Sequence, residues 1–127
     1  MKKHGILNPA LSAAVARLGH LDRVVVADCG LPVPPAVPVV DLALVFGIPR
    51  FEQVLDALLD EIVVEGCVLA DEARGTPAEG WIVGRVPAAT YVAHDELKAR
   101  VAGAAFVVRT GETTSYANTI LTCGVPF

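Results

Sequence analysis

The order of helices and strands in this chain predicts an α/β layer fold around a mixed, largely parallel sheet. Short runs of β-branched apolar residues, typical of buried strands, alternate with segments whose apolar residues recur at helical spacing. Turn-forming glycines and prolines separate the two kinds of segment. The 127 residues suffice for one domain and show no internal repeat, so a single domain over residues 1–127 is expected.

The first predicted helix begins at Asn8 and Pro9. Asn is a favourable N-cap, and Pro is tolerated at the first helical position because its missing N–H is not needed there. Apolar residues recur at helical spacing over residues 11–18. Gly19 is expected to end this helix in a left-handed conformation, which places His20 in the turn that follows.

The next segment predicts a buried strand, because residues 24–27 form a short apolar run rich in valine. This strand ends at Asp28. Four prolines within residues 31–38 exclude a helix or a central strand there, so a stiff extended loop is expected. A second strand over residues 39–45 follows, and then a second helix over residues 48–59 with one apolar face.

The C-terminal half adds further elements of both kinds. Residues 71–80 contain two glycines and a proline and are expected to form a loop. A third helix is expected to begin near His94 and Asp95 and to run to Val101. The remaining predicted strands are residues 62–70, 81–86, 104–108 and 119–123.

Apolar residues make up 54% of the chain and the mean hydropathy is +0.55, which is high for a domain of this size. A spanning helix needs about 20 consecutive apolar residues. The uncharged stretch at residues 29–40 is shorter than that and contains four prolines. We therefore expect no membrane contact and a homo-oligomer that buries the excess apolar surface.

Asn8 and Pro9 interrupt any signal-peptide core, so a cytoplasmic location is expected.

The cysteines and the net charge exclude several function classes. Cys29, Cys67 and Cys123 are odd in number and far apart, so buried free thiols are expected rather than a zinc or redox site. The net charge is −4, and no basic cluster is larger than Lys2 and Lys3. A nucleic-acid backbone would be repelled, so that class of partner is set aside.

Histidine is the default acid–base residue near neutral pH, and His20 lies just before the first predicted strand, which Asp28 follows. Loops beyond the carboxyl ends of strands carry ligand groups in α/β sheets. From the residues alone, the plainer interpretation is that Asp28 is a turn or cap residue and His20 is solvated. Cys29 with His20 is a weaker candidate for a nucleophile pair, since a cysteine ending an apolar strand usually belongs to the core.

Residues 110–118 are rich in hydroxyl, amide and phenol side chains and lie between two apolar strands. Such groups donate and accept hydrogen bonds without fixed charge, which suits recognition of a polyol. An ordinary polar loop has the same composition. The chain has no GxGxxG, P-loop, GxSxG or HExxH motif, and no His or Cys pair sits at ligand spacing, so no metal or cofactor is expected.

Four segments, taken in order, resemble the D-ribose pyranase / L-fucose mutarotase family. They are Arg17-Leu18-Gly19-His20, Asp28-Cys29-Gly30-Leu31-Pro32-Val33-Pro34, Gly47-Ile48-Pro49, and Gly111-Glu112 with Ser115-Tyr116-Ala117-Asn118. The resemblance covers nearly the whole chain and is closest to the ribose pyranases. The chain differs from their pattern at Cys29, where Ala is usual, and over residues 71–85, which are shorter.

The resemblance implies a three-layer α/β/α fold assembled into rings, typically decamers of two stacked pentamers. It implies an isomerase that interconverts β-pyranose and β-furanose ribose, or exchanges anomers of fucose-type or galactose-type sugars. A non-catalytic sugar-binding module is the alternative. By position, His20 resembles the proton donor of the family. The residues that resemble its sugar-binding set are Asp28, His94, Tyr116, Ala117 and Asn118.

Ring opening of a sugar takes a proton from the anomeric hydroxyl and gives one to the ring oxygen, and His20 is expected to carry both transfers. Asp28 is expected either to orient His20 or to bind a sugar hydroxyl. A chain of 13.3 kDa has little core to hollow, so the site is expected between subunits. We expect His20 and Asp28 to come from one subunit and residues 116–118 from its neighbour.

Overall fold

A mixed sheet of six strands forms the centre of the computed structural model, which describes residues 1–127. The strands are β1 (Arg23–Ala27), β2 (Val39–Asp41), β3 (Val64–Ala70), β4 (Ala89–Val92), β5 (Phe106–Arg109) and β6 (Thr119–Cys123). The α-helices are α1 (Pro9–Val15), α2 (Phe51–Leu59), α3 (Pro77–Val83) and α4 (His94–Arg100). Short 3₁₀ turns at Asp71–Ala73 and Val101–Gly103 complete the regular structure.

The strand order across the sheet is β2-β5-β1-β6-β3-β4. Parallel pairs join β1 with β5, β2 with β5, and β3 with β4. Strand β6 is antiparallel to both of its neighbours, β1 and β3, so it alone runs in the opposite direction. The carboxyl ends of five strands and the start of β6 therefore meet at one edge of the sheet. We call this the carboxyl edge, and the opposite one the amino edge.

Apolar side chains cover both faces of the sheet. Val24 and Val26 of β1 join a core cluster of 19 buried residues that includes side chains from α1, α2 and α3. Val25 and Ala27 join a second cluster of 9 buried residues, which includes Leu97 of α4. Because successive strand residues point to opposite faces, the helices form a layer on each side of the sheet. The predicted three-layer α/β/α fold with a mixed sheet is confirmed.

Residues 71–86 differ from the predicted loop and strand, because they form the 3₁₀ turn Asp71–Ala73 and helix α3. Pro77 occupies the first helical turn, where its ring is tolerated. Ala78 and Ile82, four residues apart, are the buried residues of α3. A short apolar run such as residues 81–83 does not distinguish a buried strand from one face of a helix, and packing decided between them here.

Several element ends also differ from prediction. Helix α1 ends at Val15, and Gly19 does not adopt the expected left-handed conformation. Instead, the Gly19 N–H donates to Asp22 Oδ2 at 2.7 Å, and Leu21 has the positive φ of 69°. His20 still lies in a turn before β1, as expected. The strand predicted at residues 39–45 stops at Asp41, and the segment beyond it is an exposed loop.

No helix in this structure is both long enough and apolar enough to cross a lipid bilayer. Many of the apolar residues lie in the two core clusters, and others lie exposed on loops. Four of the most exposed lie in one segment after β2. They are Leu44, Val45, Phe46 and Ile48.

Candidate functional site

A cleft of about 330 Å³ opens at the carboxyl edge, beside β1, β6 and α4. We call it the polar cleft, because only two of its nine lining residues are hydrophobic. Its size falls within the range of about 300–1,000 Å³ that is usual for small-molecule sites. Its lining residues are Asp28, Gly30, Leu31, Pro32, His94, Lys98, Ser115, Tyr116 and Asn118.

Asp28 and Asn118 form the floor of the polar cleft and are joined by two hydrogen bonds. Asn118 Nδ2 donates to Asp28 Oδ2 at 2.8 Å, and the Asp28 N–H donates to Asn118 Oδ1 at 2.9 Å. The Gly30 N–H donates to the other oxygen of Asp28 at 2.9 Å. These bonds hold the Asp28 carboxylate at the carboxyl end of β1, where it can accept a hydrogen bond from a ligand hydroxyl.

His94 and Tyr116 form one wall of the polar cleft, with ring centroids 5.2 Å apart and an interplanar angle of 84°. His94 is the first residue of α4, and its N–H donates to Glu72 Oε2 at 2.8 Å. Its Nδ1 atom is buried and has no hydrogen-bond partner in the protein. Tyr116 has a positive φ of 62°, a strained backbone state that is characteristic of functional loops.

The structure adds Lys98 and Ser115 to the residues that the sequence predicts for the site. Lys98 lies one helical turn after His94, and its ammonium pairs with Asp95 at 2.8 Å. The i, i+4 spacing from His94 is the signal that would have found it. Ala117 is placed differently, since the whole residue is buried in the larger core cluster and does not line the polar cleft.

Glu112 is a buried carboxylate, 1% exposed, that holds the loop carrying Tyr116 and Asn118. Its Oε1 accepts from the N–H groups of Thr113 and Thr114 and from the Thr114 hydroxyl, at 3.0–3.1 Å. Its Oε2 accepts from the N–H of Phe51, at the start of α2. Burial alone would raise the pKa of Glu112, but these hydrogen bonds to Thr114, Phe51 and Thr113 outweigh it and lower the pKa.

The lowered pKa predicts that Glu112 contributes stability above the ordinary Glu pKa of about 4.3 and that this contribution is lost as pH falls through the lower folded-state value. Glu112→Gln is expected to lower the free energy of unfolding at pH 7 by about 1–3 kcal/mol. The side-chain NH₂ of Gln would replace one accepting oxygen, so it would face a buried backbone N–H group and leave that group without an acceptor. Urea unfolding from pH 3 to pH 7 measures this. The exposed Glu96→Gln variant is the control, and equal pH dependence in Glu112→Gln and wild type would contradict the prediction.

His20 lies at the amino edge, away from the polar cleft. It lines a second cleft of about 450 Å³, most of whose other lining residues are apolar, among them Ile62, Val125 and Phe127. The five residues of β1 separate His20 from Asp28, and at about 3.3 Å per residue they alone span roughly 13 Å. One chain therefore cannot bring both side chains to the same small ligand.

Two pairings considered from the sequence, one a weak candidate and one a prediction, are not formed for this reason. Cys29 follows Asp28 at the carboxyl edge, so Cys29 and His20 do not form a nucleophile pair. The expected division of the site, with Asp28 beside His20 and residues 116–118 on a neighbour, also fails. Asp28 bonds to Asn118 of its own chain, and it is His20 that stands apart. No group of three or more His, Cys, Asp or Glu side chains is arranged to hold a metal ion.

The fold and the polar cleft together define an α/β protein with a polar cleft of small-molecule size at the carboxyl edge of its sheet. The model of the RbsD / FucU transport protein family matches residues 1–126. The chain therefore belongs to this family, as the sequence motifs predict.

Two relatives illustrate this membership, and a third protein shares the fold. The chain is 57% identical to a D-ribose pyranase of Cutibacterium acnes, with both chains covered completely. The structure of Bacillus subtilis RbsD complexed with D-ribose has a TM-score of 0.90 and 42% identity, again over the whole of both chains. A fucose mutarotase from Streptococcus pneumoniae, solved in complex with L-fucose, shares the fold with a TM-score of 0.77 at 24% identity and 99% coverage of this chain.

Proposed function

We propose that this chain is an isomerase of the D-ribose pyranase type, which interconverts the β-pyranose and β-furanose forms of free D-ribose. The observation that carries the proposal is the polar cleft, which lies in a fold matched over its full length by a relative solved with D-ribose. The 57% identity to a D-ribose pyranase supports the same reaction. The identity to the fucose mutarotase is lower, at 24%, which favours ribose over fucose as the substrate.

The proposed reaction is the opening and reclosure of a cyclic hemiacetal. The anomeric hydroxyl loses a proton, the ring oxygen gains one, and a different hydroxyl then closes on the aldehyde. His20 carries the protons. Asp28, His94 and Tyr116 bind sugar hydroxyls, together with Asn118, and hold the open chain in place. The reaction needs no redox step and no cofactor.

The proposed site requires two copies of the chain, since His20 and the polar cleft lie at opposite edges of the sheet. The exposed apolar loop with Phe46, which is 84% exposed, is tied to the carboxyl edge by the hydrogen bond from Gly47 N–H to Gly111 O. The cleft around His20 is largely apolar. We infer that the loop of one subunit packs near His20 of the next, which brings that histidine to the polar cleft.

When one surface of each subunit binds a different surface of the next, the subunits form a ring if the rotation between neighbours adds up to a full turn. This geometry supports the proposed homo-oligomer, a decamer of two stacked pentamers, in which every subunit gives a cleft to one neighbour and His20 to the other. Each subunit is a single domain over residues 1–127. A cytoplasmic location is proposed, and the three free cysteines are compatible with its reducing conditions.

The test of the reaction is saturation-transfer NMR of D-ribose with and without the protein. The protein is expected to accelerate exchange between the β-pyranose and β-furanose signals, because the site lowers the barrier to ring opening. Faster anomer exchange of L-fucose or galactose with no effect on ribose would show a mutarotase instead. Binding of ribose with no change in any exchange rate would show a non-catalytic sugar-binding module.

A further inference from the structure

We propose that Glu65 is a positioning residue for His20, a role that rests on the proposed function. The Glu65 Oε2 atom lies 3.3 Å from Nε2 of His20. The two residues are 45 positions apart in sequence. Both side chains are about half exposed, at 49% for His20 and 44% for Glu65, so a neighbouring subunit and its sugar can still reach the histidine.

A β-bulge places Glu65 at this contact. In the pairing of β3 with β6, Val64 lies opposite Cys123 and Gly66 lies opposite Thr122, so Glu65 is the extra residue between them. A bulge interrupts the regular alternation of side chains and re-aims one of them, and bulges are frequent next to active sites. The irregularity in β3 thus coincides with the residue of that strand whose side chain lies within hydrogen-bond distance of His20.

Gly124 lies directly beside the side chains of Val63 and Glu65. The Gly124 N–H donates to the carbonyl of Val63 at 2.9 Å, which draws the C-terminal segment against the bulge. A Cβ at position 124 would lie 3.1 Å from Val63 Cγ1 and 3.4 Å from Glu65 Cβ, and 3.5 Å from the Oε2 atom that faces His20. A Cβ at this position would be tight against Val63 and would make an ordinary van der Waals contact with Glu65.

The contact assigns separate tasks to the two ring nitrogens of His20. A carboxylate only accepts hydrogen bonds, so Nε2 carries the hydrogen that Glu65 receives. The hydrogen bond made by one ring nitrogen decides whether the other nitrogen carries a hydrogen. Nδ1 is therefore the atom that exchanges protons with the sugar, and Glu65 fixes the ring so that Nδ1 faces it.

The experiment compares Glu65→Ala with Glu65→Gln, which keeps an acceptor oxygen at the same reach. Glu65→Ala is expected to lower kcat about 10-fold with KM changed less than twofold, since a half-exposed hydrogen bond is worth less than a buried one. Glu65→Gln is expected to recover most of that loss. Glu52→Gln is the matched control, because Glu52 is a similarly exposed carboxylate, paired with Arg85 outside both clefts.

A second readout does not depend on catalysis. The chain has three histidines, so ¹⁵N NMR of histidine-labelled protein resolves His20, assigned by its loss in His20→Ala. Nε2 is expected to carry the hydrogen in the wild type, and this preference should weaken in Glu65→Ala. Unchanged ring shifts together with kcat within twofold of wild type, or a change in KM alone, would overturn the role of Glu65. A wild type that leaves ribose exchange unaltered would overturn the proposed function, and the ring shifts would then decide on Glu65 by themselves.

Discussion

His20→Ala is expected to slow the interconversion of ribose ring forms by about 10²–10⁴-fold, the usual contribution of a general acid–base group. Ring opening moves one proton off the anomeric hydroxyl and another onto the ring oxygen, and imidazole is the side chain suited to both transfers near neutral pH. Ribose binding is expected to persist, because the polar cleft lies at the other edge of the sheet. Saturation-transfer NMR measures the rate, and calorimetric titration measures Kd.

The control for this variant is His4→Ala, since His4 is exposed and lines neither the polar cleft nor the cleft around His20. Its exchange rate is expected to equal that of the wild type. EDTA is also expected to leave the wild-type rate unchanged, because the proposed chemistry uses no metal. Near-normal exchange by a His20→Ala protein of native oligomeric size would remove His20 from the mechanism.

Mixed oligomers of His20→Ala and Asn118→Ala subunits are expected to regain activity, although each variant is inactive alone. If one subunit supplies the cleft and its neighbour supplies His20, random mixing leaves about one site in four with both halves intact, as follows from a head-to-tail contact. Activity near a quarter of the wild-type value is therefore expected after co-expression. Light scattering checks that the mixed particles have the native size. A monomeric wild type would contradict the premise that each site is shared between two subunits.

A matched mixture locates the boundary between the two halves of the site. Asp28→Ala mixed with Asn118→Ala is expected to stay inactive, because these two residues belong to one cleft and bond to each other within a chain. In that mixture, every cleft contains one of the two substitutions, whichever neighbour supplies the histidine. Recovery in this mixture, with none for His20→Ala and Asn118→Ala, would contradict the arrangement inferred from the structure.

Local patterns in the sequence predict most of the secondary structure correctly. Strand β6 spans residues 119–123 as predicted. The apolar face of α2 is buried as expected, from Phe51 through Leu58. These elements are predictable because helical and alternating periodicities are properties of neighbouring residues. The error over residues 71–86 arose where an apolar run was too short for its period to be read, so that packing of Ala78 and Ile82 against the core decided the conformation.

The α/β class, the family and the residue types of the candidate site could be predicted from the amino-acid sequence, because they depend on local pattern and on ordered motifs. Which of those residues meet became clear only from the three-dimensional fold. Asp28 and Asn118 are 90 positions apart and share two hydrogen bonds, because the end of β1 lies beside the start of β6. His20 is close to Asp28 in sequence and lies at the opposite edge, because an extended strand separates its two ends. Strand order and direction are set by long-range pairing, which no local pattern encodes.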